Sequence, residues 1–153
     1  DHGELMMTRR GLLRRLDLAR VEAAIAAAER RTSAELRVSI AGLFWGSPRR
    51  VAERAFHRLG MDGTAARNGV LLFLVPWRQR LEIVADEGAA RVVPAAFWAE
   101  VVADLRDAFR RGGYAEGVEA AIGTIAGELA RHFPPAGPQD RNELPDPVDV
   151  GAG

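Results

Sequence analysis

Three carboxylates stand out for the chemistry they could do together: Glu35, Asp62 and Asp86, each at the end of a predicted strand or in the loop leading to one. Thr32, Ser33, Asn68 and Glu87 flank them with further oxygens. A hard cation such as Ca2+ or Mg2+ takes several oxygen ligands, carboxylates among them, from a loop-rich rim. This set supplies them without a cysteine or a histidine. The expectation is a weakly bound Ca2+ or Mg2+ held by Glu35, Asp62 and Asp86, with Thr32, Ser33, Asn68 and Glu87 as neighbouring supports. The same residue types also serve as turn formers, caps and solvated charges, and the sequence leaves both readings open.

A second constellation joins aromatics to arginines. Phe44, Trp45, Pro76 and Trp77 lie near Arg49, Arg50, Arg78 and Arg80 in the chain. Aromatic side chains and arginine are enriched where proteins meet partners, which makes Trp45, Trp77 and Arg78 candidates for docking a protein partner. The alternative is that the tryptophans close the ends of the core. Nucleophilic chemistry has less to work with. Cysteine is absent, and His2, His57 and His132 belong to no evident Ser-His-Asp pattern. Gly60 and Gly63 lack the strand-turn-helix context of a phosphate-cradling loop. No catalytic residue is assigned.

The elements that must position these groups follow from hydrophobic spacing. Asp17 suits an N-cap with Leu16 as its staple, and Val21, Ile25 and Ala28 recur at helical intervals up to about Arg31. Residues 35–40 alternate as a strand. Ser47 and Pro48 open a second helix, with Val51, Ala55, Phe56 and Leu59 as its buried stripe and Gly60 as its stop. Val70 to Val75 is apolar on both faces, the pattern of a central strand covered on two sides. Pro76 to Gln79 is short enough for a hairpin, so residues 81–84 return antiparallel. Two helices follow, from about Ala95 to Arg110 and from about Tyr114 to His132, split by Gly112 and Gly113. Pro134, Pro135, Pro138, Pro145 and Pro147 mark an irregular tail. The order predicts a three-layer α/β/α sandwich around a small mixed sheet, with Val70 to Val75 between the other two strands. Strands one and two begin, and strand three ends, at one edge, so the seven oxygen-bearing residues are expected to share it.

Composition bounds the remainder. The chain has 153 residues, 48% hydrophobic and 27% charged, with a formal net charge of zero. That fits one globular domain and speaks against a dedicated nucleic-acid binder. The basic residues are all arginine. Five arginines and one aspartate occupy positions 9–20, and the tail carries Asp140, Glu143, Asp146 and Asp149 against Arg141, so the two ends are expected to attract weakly. No apolar run reaches the roughly 18 residues of a membrane span. Residues 1–16 read as a leader, partly a remnant ahead of a natural start at Met6 or Met7, with no signal peptide; the expected location is cytoplasmic.

Several phrases, in order, carry a resemblance. Residues 29–38, ERRTSAELRV, look like a family phrase in which a helix ends and a strand begins. His57 to Thr64 leads on to Arg67-Asn68-Gly69-Val70-Leu71; then come Ile83 to Gly88, Phe97-Trp98 and Gly117 to Ile122. Together these resemble the TPM domain, a family named for a thylakoid lumen protein, a photosystem II repair protein and a nematode receptor auxiliary subunit. Asn142 to Asp146 is similar to the end of a small stand-alone bacterial branch. The resemblance covers roughly Asp17 to Asp149 and, with the prolines and acids of the tail, gives an expected domain over residues 17–133 and a Pro-rich acidic tail over residues 134–153. It also implies a non-catalytic module binding a divalent cation and a protein partner. The alternative it implies is a weak metal-assisted phosphatase acting through Glu35, Asp62 and Asp86. The secreted branch has a glycine-rich phrase where Ala85-Asp86-Glu87-Gly88 stands here.

Overall fold

The layers follow from the strand that is apolar on both faces. In the computed structural model, which describes residues 7–135 and 148–150, β2 (Val70–Val75) is fully buried along its length. Side chains of a strand alternate between faces, so Val70, Leu72 and Leu74 enter one core while Leu71, Phe73 and Val75 enter another. β1 (Leu36–Ile40) pairs parallel with β2, and β3 (Arg80–Ala85) pairs antiparallel with it. The strand therefore lies between its two expected neighbours.

The larger core is covered by α1 (Arg9–Leu16), α2 (Leu18–Arg31), α5 (Ala95–Arg110) and α6 (Tyr114–His132); the smaller one by α3 (Pro48–Arg58). This is the expected three-layer arrangement. The start of α3 also agrees: Ser47 accepts a hydrogen bond from the Arg50 amide, Pro48 occupies the first turn, and Gly60 takes a left-handed conformation past its end. No helix among the described residues is long and apolar enough to cross a membrane.

Three short elements depart from the sequence reading. Residues 9–16, expected as leader, form α1: Thr8 caps it, and Leu12 and Leu16 are buried in the core. Four arginines in eight positions hide its apolar face. Asp17 then caps α2 as expected, in a left-handed conformation between the two helices. A six-residue α4 (Glu87–Val92) follows β3 directly. Within the tail, Val148–Asp149 forms β4, parallel to β1 on the side away from β2. Two residues carry no period to read, and side chains hold this strand instead. The Ser39 hydroxyl donates to Asp149 Oδ2 at 2.9 Å, Arg58 donates to the same oxygen at 3.2 Å, and Arg9 donates to the Val150 carbonyl at 2.8 Å. The expected attraction between the ends is thus partly answered by a backbone carbonyl. Asp140, Glu143, Asp146 and the phrase from Asn142 to Asp146 lie outside the described residues.

Candidate functional site

At one edge of the sheet, register brings Glu35, Gly69 and Asp86 side by side. The Val70 amide donates to the Glu35 carbonyl at 2.8 Å and the Asp86 amide to the Gly69 carbonyl at 2.9 Å. Both acids are buried, Asp86 to 7% exposure. A buried carboxylate needs partners for its charge, and Asp86 has them on both oxygens. It caps α4 by accepting from the Glu87 amide at 2.9 Å, and it receives Arg67 through two bonds, from Nε at 2.7 Å and Nη2 at 2.9 Å. Such bidentate pairs are among the stronger polar contacts in proteins. Arg67 Nη1 also lies 3.5 Å from Glu87 Oε2. The hydrogen bonds it donates to Asp86, and then the charges of Asp86, Glu87 and Asp62, raise the Arg67 pKa against desolvation. Three of the carboxylates singled out by sequence therefore act on one cation, and that cation belongs to the chain.

Loop geometry delivers this guanidinium. Arg67 and Asn68 donate their amides to the carbonyl and hydroxyl of Thr64, both at 3.1 Å. Arg67 takes a left-handed backbone, φ 52°, uncommon for a residue with a Cβ. Its carbonyl then accepts from the amides of Gly88 at 2.8 Å and Ala89 at 3.3 Å. These amides belong to the first turn of α4, whose N–H groups have no partner within the helix. One residue thus feeds the start of α4 with its main chain and holds the helix cap with its side chain.

The remaining candidates divide. Asp62, in a 3-10 turn, pairs with His57, Nδ1 to Oδ2 at 2.9 Å, and its carboxyl is held below the usual carboxylate range chiefly by that hydrogen bond. In a His57→Gln variant, the Asp62 carboxyl should titrate at higher pH, read from its carbon resonance by NMR. Because the folded pKa is depressed, the pair's contribution to stability is present above the unfolded carboxyl pKa and is lost as pH falls through the folded one. An unchanged midpoint would remove His57 as the cause. Thr32 is committed elsewhere: its hydroxyl donates to the Phe133 carbonyl and accepts from the Ala34 amide, and the Ser33 amide also meets Phe133. Among the described residues, no three histidine or carboxylate side chains gather closely enough to hold a metal ion.

The opposite edge separates the two tryptophans. Trp77 packs against the smaller core, while Trp45 is 89% exposed and stands edge-on to Trp77 with ring centroids 6.3 Å apart. Leu43 beside it is 77% exposed. Arg78 steadies the loop, its Nη1 donating to the Gly46 carbonyl and its guanidinium lying 5.4 Å from the centre of the Phe44 ring. Sequence reasoning did not single out Arg67 or Thr64. The signal for Arg67 was an arginine in the loop facing a strand-end aspartate whose burial would call for a counter-charge.

A family model described as the TPM domain matches residues 6–128, a span that contains all seven candidate rim residues. None of the curated proteins matches. Among solved structures, the chain is similar to the BA42 protein of the psychrophilic bacterium Bizionia argentinensis. The two are 32% identical with a TM-score of 0.78, over 87% of this chain and 90% of that one. The N-terminal domain of the cg2496 protein of Corynebacterium glutamicum shares the fold at 14% identity, with a TM-score of 0.57 over 86% and 76% of the two chains.

Proposed function

The chain belongs to the TPM domain family, and from that premise we propose that it works by binding: its carboxylate rim takes Ca2+ or Mg2+ weakly, and its opposite edge docks a protein partner. The observation that carries the rim assignment is the pair of neighbouring carboxylates, Asp86 and Glu87, gathered on the single guanidinium of Arg67. The donors are hard oxygens, as Ca2+ and Mg2+ require. Glu87 is exposed and can turn inward, and Asp62, partly exposed, can do so by leaving His57. The ion fits on one condition, that Arg67 swings out. Its side chain is 43% exposed, so solvent can receive it. Its charge-assisted bonds to Asp86 must break first, which limits the net affinity to the order of millimolar, where sites with few charges lie. Glu35 completes the ligand set in this reading, with Asn68, Thr32 and Ser33 at the margin.

The partner assignment is supported by Trp45, an exposed ring beside exposed Leu43 and backed by Trp77 and Arg78. Buried aromatics and arginines dominate the energetics of interfaces, and an unburied tryptophan is a ready anchor. The phosphatase alternative asks the same ion to activate water beside a free carboxylate base. Both oxygens of Asp86 and one of Asp62 already accept hydrogen bonds, which weighs toward binding without turnover.

Millimolar Ca2+ or Mg2+ should raise the melting temperature. At ten times the dissociation constant, ligand linkage contributes about 1.4 kcal/mol, or about 3–5 °C for a domain of this size. Asp86→Asn should remove most of that rise. A melting temperature indifferent to both ions would contradict the rim assignment.

A further inference from the structure

A cavity of about 490 Å3 opens at the carboxyl-terminal end of β2, on the sheet face covered by α1, α5 and α6. The residues so far assigned a function lie elsewhere: the carboxylates at the other end of the strands, and Trp45 and Trp77 on the α3 side. Its volume falls within the range of small-molecule sites, and in open α/β sheets this end of parallel strands is the usual ligand crevice. The floor is apolar, built from Leu74 and Leu81, both buried, with Phe109 and Tyr114 from the α5–α6 corner. Three arginines stand in its wall: Arg80 at the start of β3, and Arg106 and Arg110 on α5. Among the described residues, no carboxylate lines it.

The arginines are differently engaged. Arg80 lies 3.5 Å from Glu82, and Arg110 lies 3.4 Å from Asp107, both contacts at the limit of hydrogen bonding. The Arg106 side chain forms no hydrogen bond or ion pair among the described residues. Positive charges, half-buried at Arg106 and exposed at Arg80 and Arg110, beside an apolar floor match a ligand with one anionic end and a hydrocarbon or aromatic body. The guanidinium forks would grip a carboxylate or phosphate oxygen pair, and the body would cover Leu74, Leu81 and Phe109. We propose that this cavity binds an amphipathic organic anion, with Arg106 as the principal head-group contact.

Four probes test the proposal on the intact chain: decanoate, decyl phosphate, decyltrimethylammonium and inorganic phosphate, each titrated by NMR. Decanoate or decyl phosphate should saturate and shift the amides of Leu74, Leu81, Phe109 and Tyr114. A preference between the two assigns the head group as carboxylate or phosphate. Arg106→Gln should weaken binding about tenfold, the loss of one charge-assisted hydrogen bond, while Arg50→Gln, on α3, should leave it unchanged. Arg106→Gln is expected to fold, because its side chain reaches solvent, and an unchanged melting temperature without ligand checks this. Equal binding of decyltrimethylammonium would overturn the proposal, as would shifts confined to other surfaces. Saturation by inorganic phosphate alone, or an Arg106→Gln variant with undiminished affinity, would overturn it too.

Discussion

Gly88→Ala should cost about 2–4 kcal/mol of folding stability, although it adds only a methyl group. A Cβ at position 88 would collide with the Ala66 carbonyl oxygen and stand 2.7 Å from that of Arg67. Both neighbours are backbone, so no rotamer change relieves the clash. The loop must retreat, at a cost of about 1–3 kcal/mol for overpacking. Retreat also breaks the Gly88 amide bond to the Arg67 carbonyl, worth about 1 kcal/mol. At about 2–4 °C per kcal/mol, thermal melting should fall by roughly 10 °C. The backbone conformation at Gly88 is ordinary, so a stable variant would mean that the loop is not clamped against α4. Gly69→Ala provides a parallel case, with its Cβ 2.6 Å from the Met61 carbonyl oxygen.

Arg67→Gln should move two quantities in opposite directions. Removing the guanidinium leaves the buried Asp86 carboxylate without its counter-charge, a destabilising change that solvent screening at the 43% exposed Arg67 side chain moderates. The melting temperature should therefore drop. Glutamine carries a left-handed backbone cost similar to that of arginine, so the change isolates the charge. Cation affinity should meanwhile rise at least tenfold. The ion no longer has to break a bidentate pair of charge-assisted bonds, and Asp86 and Glu87 lose the positive charge that neutralised them. Isothermal titration of Ca2+ and Mg2+ into both proteins checks the affinity; calorimetric melting checks the stability. A variant that is both less stable and no better at binding would leave Arg67 as a structural clamp alone.

The sequence disclosed the long elements and the shared edge because both rest on periodic signals. β2 shows its double burial in six consecutive apolar residues, and α5 and α6 run long enough for a helical period to repeat. From the strand directions alone, Glu35 and Asp86 could be placed at one edge, where the register puts them. What escaped was short or non-periodic. α1 conceals two core leucines among four arginines, α4 spans six residues, and β4 depends on Ser39, Arg58 and Arg9 reaching it from distant parts of the chain. The pairing at the rim was hidden for a related reason: it depends on the left-handed backbone of Arg67, which orients its guanidinium toward Asp86. The spacing of acids along a sequence cannot reveal that an arginine between them already supplies the counter-charge. Trp45 and Trp77 looked alike as residue types, and only packing separates an anchor at the core's end from a ring left in solvent.

The binding account is tested most directly by a residue-resolved NMR titration of the unaltered chain with Ca2+ and with Mg2+. Saturating shifts in the millimolar range are predicted for the amides of Asp86 to Ala89 and of Arg67 to Gly69. The Arg67 Nε resonance should move with them as the guanidinium leaves Asp86, while Trp45 Nε1 at the opposite edge stays unchanged. If the amides around Asp86 do not respond, or drift linearly without saturation while Arg67 Nε holds its position, the rim is a closed salt bridge and the chain binds no cation there.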